Sequence, residues 1–528
     1  MRSGIEAVAA RSPVKLALAA RSGTIHRESA WRLLTYALAS AALLGCAVPP
    51  RGVAVAAWVA LVPLLVAIRN ESPVRVALIG TAFGVASLAA MHTWFLTLPG
   101  ANPINVAALF GYLAVYPATW CAALAFLMRR KLPWVFPGAV LWALLDWLRS
   151  HAGPFAVPWD PLAHSQIHDV PLLQLAALGG APLISFFVCL VNLAVARAML
   201  NRSLPSLLAA ALGMAAVHVY GYLSVAAAPL ASGTRIAVVQ PADDGAPPAT
   251  RLDRLRALTQ RAASQAPDLI VWPESAVDGY AFNHALQGAV ARIAHDVKTP
   301  ILFGSADFGK FAKSAGAAGE HVQFKNRAYL VFPDGSQEGP YTKNRLVPFG
   351  EFMPFENYVE WPHWLVGRQR GGIAGVEPGV FRLHNGTTLG VVVCWENMFA
   401  YLTDRLVRRG AAIIVQLSDD SDFGASGEPA QHNSASALRA VEFGRPWVQA
   451  SANGPSEVID DHGRINYSFG QIGSSGWTVR TLSLGHTTTV YERFGMLWLA
   501  LASLVATVQI VLRLKQERRG EDERQRTA

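Results

Sequence analysis

Apolar residues are arranged in two ways along this chain. Between residues 30 and 230 they run almost unbroken, in segments at roughly 33–49, 52–68, 74–97, 104–127, 134–150, 170–196 and 205–228, and an eighth run covers 492–512. A helix crosses the hydrocarbon core of a bilayer with about 20 apolar residues, so the pattern predicts eight membrane-spanning helices. The Pro49-Pro50-Arg51-Gly52 turn separates the first two, because proline stops a helix. From 233 to 487 the runs are short. Those at 235–240, 268–273, 301–305, 328–332, 388–394 and 411–417 read as buried strands, and the stretches 250–265, 282–297, 400–409 and 430–443 read as helices. Continuous apolar strands alternating with helices predict an α/β domain whose sheet is covered on at least one face.

Composition agrees with two solvents. Charged residues make up 15% of the chain, against about 25% in soluble domains, and the deficit lies in the apolar segments. The net charge of +9 does not indicate nucleic acid, because the bases sit at the ends of apolar segments rather than on one soluble face. Arg11, Lys15, Arg21, Arg27 and Arg32 precede the first helix, and Arg69, Arg75, Arg129, Arg130, Lys131, Arg197 and Arg202 occupy alternate loops. Arg513, Lys515, Arg518 and Arg519 follow the last helix. With eight spans all of these fall on one side, which the positive-inside rule makes cytoplasmic. The expected division is a cytoplasmic segment 1–32, a seven-helix bundle 33–230, an extracytoplasmic catalytic domain 233–487, an eighth helix 492–512 and a cytoplasmic tail 513–528. The last dozen residues are charged and are expected to be disordered, and 309–319, small and polar, reads as a surface loop. No small-x-small site follows the first apolar run, which argues against a cleaved signal peptide.

Of four cysteines, Cys46, Cys121 and Cys189 lie in apolar segments and Cys394 alone lies in the α/β domain. There is no CxxC and no Cys/His cluster with metal spacing. Three segments place a reactive side chain just after a buried strand: Trp272-Pro273-Glu274, Lys343 before Leu346-Val347-Pro348-Phe349-Gly350-Glu351, and Cys394-Trp395-Glu396. A thiol needs a base or a positive charge to act as a nucleophile at neutral pH. Glu274, desolvated beside Pro273 and Trp272, suits the base. Lys343 suits the oxyanion, together with a backbone N–H just after Cys394.

These residues carry a resemblance. The trio resembles the Glu-Lys-Cys triad of the nitrilase superfamily. The string Lys343–Pro354, on a chain with seven helices before the domain and one after, resembles the apolipoprotein N-acyltransferase family. Asp146-Trp147-Leu148-Arg149, Val157-Pro158-Trp159, Gln431-His432, Arg439-Ala440, Glu442, Gly444-Arg445-Pro446 and Asn453-Gly454 are similar to other stretches of that family. The resemblance implies an αββα sandwich domain with Glu274, Lys343 and Cys394 as catalytic residues, Glu351, Trp395 and Glu396 in support, and no metal or organic cofactor. It implies a two-step transfer at a bacterial inner membrane: Cys394 takes an acyl chain from a phospholipid as a thioester, then passes it to the N-terminal amine of a diacylglyceryl-cysteine lipoprotein. Open alternatives are a membrane-anchored amidase, an acyltransferase using another amine, and a weakly active accessory paralogue.

Two further expectations follow. Phe352, Phe355, Tyr358, Trp361 and Trp364 crowd one short span. Aromatics gather at the lipid headgroup layer, so this loop, with Trp361 and Trp364, is expected to meet lipid, and Phe423 is expected to wall the substrate. The family usually has Asn-Asp-x-Trp-Phe where this chain reads Asp419-Asp420-Ser421-Asp422-Phe423. If Asp419 and Asp422 face the thiol, they raise its pKa by like-charge repulsion.

Overall fold

The computed structural model describes residues 29–98, 101–159, 161–226, 233–242, 245–309, 323–356, 358–362, 371–470, 472–485 and 487–527. Trp364 and most of the 309–319 stretch lie outside them. The apolar segments fold as α1 (Ala30–Ala47), α2 (Val62–Ile68), α3 (Pro73–Met91), α4 (Pro103–Arg129), α5 (Val135–Ser150), α6 (Ala181–Asn201) and α7 (Leu204–Ala226). Among the described residues, six helices are long and apolar enough to cross a membrane by length and composition: α1, α3, α4, α6, α7 and the C-terminal one.

Two expected spans are broken. Residues 52–68 form a 3-10 turn, Ala54–Trp58, and then only α2, because Pro63 lies in the first turn of α2 and cannot donate there. Buried side chains satisfy the interrupted backbone, as a membrane interior demands: Leu61 N donates to Asn192 Oδ1 at 2.9 Å, Asn192 Nδ2 donates to the Ala57 carbonyl at 2.8 Å, and Leu64 N donates to Ser40 Oγ at 2.9 Å. Residues 170–196 break at Gly180, whose φ of +73° precedes Pro182 in α6. Elsewhere small residues let helices close up. A Cβ added at Gly80 would come within 2.8 Å of the Ala118 Cα, and one at Gly84 within 2.8 Å of the Ala114 Cα, both on α4.

The α/β domain contains two sheets. The first holds β1 (Gly233–Gln240), β2 (Leu269–Val271), β3 (Ile301–Gly309), β4 (Gln323–Val331) and β5 (Gln337–Thr342), with β6 (Gly371–Gly372) beside β4 and β13 (Gly476–Ser483) beside β1. The second runs β12 (Ile465–Phe469), β11 (Ser456–Ile459), β10 (Trp447–Ser451), β9 (Ile413–Ser418), β8 (Thr388–Val393), β7 (Gly379–Arg382). Strand alternation sorts the apolar side chains into layers. Ile236, Val238 and Val271 meet Val391, Val393 and Val415 between the sheets. Ala237, Val239 and Trp272 point outward against α8 (Pro248–Ala263) and α9 (His284–Val297). On the far side, α10 (Ala400–Val407) and α11 (Glu428–Phe443) cover the second sheet, giving an αββα sandwich.

The bundle and α11 share one apolar core. Gln431 Nε2 donates to the carbonyls of Pro49 at 3.0 Å and Met91 at 2.8 Å, and Ala181 N donates to Glu442 Oε1 at 2.7 Å. The last helix, α12 (Leu497–Thr527), runs through the charged tail expected to be disordered. Its Glu, Arg and Gln residues are strong helix formers, and an established helix propagates more easily than one starts.

Candidate active site

Three strand ends converge. Gly304 on β3 brings the first close: a Cβ there would lie 2.6 Å from the Glu274 Cα, so only glycine lets the turn after β2 pack this tightly. Ser275 and Cys394 adopt left-handed backbones with φ of +53° and +54°. That conformation is uncommon for a residue with a Cβ, and strain of this kind concentrates at functional sites. At Cys394 it turns the chain sharply out of β8 into a 3-10 turn, Cys394–Met398.

Glu274 is buried. Its Oε1 accepts from Asn326 Nδ2 at 2.5 Å and lies 3.7 Å from Lys343 Nζ, and its Oε2 accepts from Asp419 N at 3.0 Å. Burial pushes its carboxyl up to about 7; Lys343 pulls it back, while Glu351 and Asp419 add to the rise. The Trp272 indole takes no part in this cavity, because it faces the outer helices and donates to Thr259 Oγ1 at 2.9 Å. Lys343 is buried after β5, with Nζ donating to Glu351 Oε1 at 2.9 Å. Burial alone would lower its pKa, but Glu351, Cys394 and Glu274 outweigh that and hold the ammonium above its usual range. Glu351 also accepts from Val347 N at 2.8 Å, so it ties the lysine to the loop that follows.

Burial pushes the Cys394 thiol well above its ordinary value; Lys343 opposes this, and Glu274, Glu351 and Asp420 reinforce it. The Cys394 side chain therefore rests as a neutral thiol, within the field of the Glu274 carboxyl. Glu396 is a clamp rather than a partner in an ion pair. It accepts from Tyr341 Oη at 2.7 Å, Asn344 N at 2.7 Å, Arg345 N at 2.9 Å and Val393 N at 2.8 Å, binding the lysine loop to the nucleophile strand. Trp395 does the same through Nε1, which donates to the Arg345 carbonyl at 2.7 Å.

Sequence reasoning assigned no role to Asn326, Tyr341, Gln416 or His432. Gln416 Nε2 donates to the Cys394 carbonyl at 3.1 Å, while its Oε1 accepts from Ser436 Oγ at 2.8 Å and Trp447 Nε1 at 3.0 Å. The amide is thereby fixed with Nε2 toward His432 Nε2, 3.3 Å away, so that imidazole nitrogen accepts. Its Nδ1 then carries the proton toward Asp420 Oδ1 at 3.3 Å. Asp420, Glu428 and His432 could by proximity hold a metal ion. A metal would need the Nδ1 lone pair, which this tautomer does not offer.

The expectation for Asp419 and Asp422 is corrected. Asp422 is exposed. The Asp419 carboxylate accepts from Ser421 N at 3.1 Å and from Ser421 Oγ, closing its own turn. Asp420 adds its charge at the thiol, with its carboxylate turned inward to accept from Ser418 Oγ at 2.9 Å and Ser451 Oγ at 3.1 Å, while Asp419 adds its charge at Glu274.

The aromatic loop reaches the bundle. Phe355 packs 5.8 Å from Phe155, Phe349 meets Trp361 edge-on at 5.1 Å, and Arg345 donates to the Gly153 carbonyl. Trp361 Nε1 donates to the Pro354 carbonyl at 2.6 Å. Tyr358 is 88% exposed and Phe355 47%, so these rings do not fill a core. Phe423 meets Trp94 edge-on at 5.5 Å, in a cluster that includes Cys394, Trp159 and Trp395.

The αββα sandwich that holds these side chains is the part of the chain matched by the carbon-nitrogen hydrolase model, residues 235–484. The model of the apolipoprotein N-acyltransferase N-terminal domain matches residues 40–194. The apolipoprotein N-acyltransferase of Gloeobacter violaceus is 30% identical over 530 residues, covering 92% of this chain and 96% of that one. That of Geobacter metallireducens is 28% identical over 514 residues, covering 91% and 95%. This chain belongs to the apolipoprotein N-acyltransferase family. Among solved structures, an amidase of the nitrilase superfamily from Nesterenkonia AN1 aligns with 48% of this chain and 93% of its own, at 20% identity and a TM-score of 0.37.

Proposed function

We propose that Cys394 carries an acyl chain from a membrane phospholipid to the N-terminal amine of a diacylglyceryl-cysteine lipoprotein, with Glu274 as proton carrier and Lys343 as oxyanion partner. The observation that carries this assignment is the buried Glu274–Lys343–Glu351 charge group at the strained turn of Cys394. In the first step Glu274 takes the thiol proton as sulfur attacks the ester carbonyl. The tetrahedral oxyanion rests against the Lys343 ammonium, and its collapse breaks the C–O bond. Glu274 returns the proton to the departing lysophospholipid alkoxide, leaving a thioester. In the second step the lipoprotein amine attacks that thioester and Glu274 takes the amine proton. C–S cleavage yields the amide, and the thiolate recovers the proton. Glu351, Trp395 and Glu396 position the lysine loop, while Trp361 and Phe423 guide lipid toward the thiol. In this reading the domain lies on the extracytoplasmic side of a bacterial inner membrane, and reporter fusions after Met199 and after Ala231 give opposite signals.

Incubating the purified chain with phosphatidylethanolamine vesicles is expected to leave one hydroxylamine-labile acyl group on the Cys394 peptide, and a diacylglyceryl peptide is expected to discharge it as an amide. An adduct on another residue, or full turnover in Cys394→Ser, overturns the assignment.

A further inference from the structure

Gln416 on β9 grips the Cys394 carbonyl from the helix side of the second sheet. It pairs in register with Val392, which packs among the helices, whereas Val391 and Val393 face the first sheet. A primary amide offers two N–H donors and two acceptor lone pairs, and here all four are used. Nε2 donates to the Cys394 carbonyl at 3.1 Å and toward His432 Nε2 at 3.3 Å. Oε1 accepts from Ser436 Oγ at 2.8 Å and Trp447 Nε1 at 3.0 Å. Gln416, Ser436 and Trp447 have no exposed surface and His432 has 1%. Leaving a buried polar group unpaired is costly, so this amide cannot turn. The imidazole behind it is fixed in the same way, with Nδ1 toward Asp420 Oδ1.

The consequence lies at the other end of the same peptide. A trans peptide unit is planar, and its C=O and N–H point in opposite directions. The Cys394 carbonyl and the Trp395 N–H are the two ends of one such unit. Held toward α11, the carbonyl sends that N–H toward the first sheet, from which Glu274 and Lys343 arrive after β2 and β5. Trp395 N lies in the opening of the 3-10 turn, and among the described residues no acceptor meets it. The left-handed φ of +54° at Cys394 is a conformation that persists only where the surroundings enforce it, and the Gln416 contact is one that does so.

We infer that Gln416 is a positioning residue for the oxyanion: by holding the Cys394 carbonyl it aims the Trp395 N–H at the oxygen that becomes negative during acyl transfer. His432 and Asp420 back it from behind. The donor is then in place before the ester arrives, and nothing has to reorganise as charge develops. The inference rests on the proposed function, in which a tetrahedral oxyanion forms beside Lys343, and it names what directs the second donor.

The test compares two reactions of Cys394 in the full-length chain. Acylation, by phosphatidylethanolamine vesicles or by p-nitrophenyl butyrate, passes through an oxyanion. Alkylation by iodoacetamide does not. Gln416→Met keeps the side-chain length and removes all four bonds without adding charge. It is expected to slow acylation by both esters about a hundredfold, as loss of an oxyanion donor does. KM is expected to stay unchanged, because the contact is made only in the transition state. Alkylation and its pH profile are expected to match the wild type. Ser436→Ala, which frees only one side of Oε1, is expected to slow acylation about fivefold, again without touching alkylation. If Gln416→Met does not fold, the ratio of acylation to alkylation in Ser436→Ala decides alone. Acylation at the wild-type rate overturns the inference. So does an equal loss in both reactions, which would mean that Gln416 merely places the thiol. A wild type acylated by p-nitrophenyl butyrate but not by phosphatidylethanolamine refutes the proposed function, and the positioning role is then read from the soluble ester.

Discussion

Glu274→Gln is expected to stop turnover and, at pH 8, to make the protein more stable. The buried carboxyl titrates at about 7 in the folded chain, against an ordinary 4.5. Folding therefore favours its protonated form. The stability this group contributes is full below about pH 4.5 and is lost as pH rises through 7, because the folded chain must then hold a buried carboxylate. A gap of roughly 2.5 pKa units corresponds to about 3 kcal/mol at 1.36 kcal/mol per unit. Glutamine removes that cost but has one carbonyl oxygen where the carboxylate serves Asn326 and the Asp419 N–H. The lost bond returns about 1 kcal/mol. The net gain at pH 8 is about 2 kcal/mol, or roughly 4–8 °C in Tm; at pH 5 a cost of just under 1 kcal/mol applies and about offsets the lost bond, so the two proteins are nearly equal in stability. Lys343 adds no slope, since its pKa is held above its usual range and it stays charged through this interval. The assay is thermal unfolding of both proteins in one detergent at pH 5 and pH 8. A Tm difference of the same sign and size at both values refutes the reasoning. In the wild type, the rate of acyl-enzyme formation should rise with pH through about 7 as Glu274 ionises.

Other outcomes follow from single contacts. Asp420→Asn is expected to speed thiol alkylation at pH 7 about threefold, half a pKa unit, whereas Asp422→Asn, on an exposed side chain, leaves alkylation unchanged from pH 6 to 10; an effect of the second as large as the first overturns the assignment. Gly304→Ala puts a methyl group where the Glu274 Cα already lies 2.6 Å away, so turnover should fall about a hundredfold, roughly 2.7 kcal/mol, with a modest loss of Tm; unchanged kinetics would mean the turn moves freely. Trp361→Ala should lower turnover of vesicle-borne phospholipid about tenfold more than that of a short-chain soluble ester; equal losses would show that the ring serves the local fold instead.

What could be read from the sequence followed from burial. The strands at 269–271, 388–393 and 413–418 are apolar on both faces because one face meets the other sheet and the other meets helices, so they stand out as runs. Glu274 and Cys394 follow such runs, whereas Lys343 follows β5, a polar strand of which Tyr341 alone is buried, and was picked out by its motif instead. Asn326 was not. It belongs to β4, whose first half, Gln323 to Arg327, is polar and reads as a loop. The polarity exists because this end of the strand serves the Glu274 carboxyl and the Asp307 ion pair. His432 and Gln416 were hidden for a related reason: their partners come from β8, β9 and α11, far apart in sequence. The broken helices were obscured by the same compositional averaging, since Asn192 and Ser40 look like isolated polar residues until their partners at 57, 61 and 64 are seen.

Fifteen residues of α11 are buried. One side of the helix is wall to the catalytic sheet and the other is floor to the bundle. Severing the membrane portion would thus not release an independent enzyme. It would expose Leu438, Val441 and Phe443 on a helix that also braces the nucleophile's neighbours through Ser436 and His432. Free-living kin of this sandwich would have to repaint that surface with polar side chains. In this chain the greasy version leaves the sandwich dependent on the bundle for its cover.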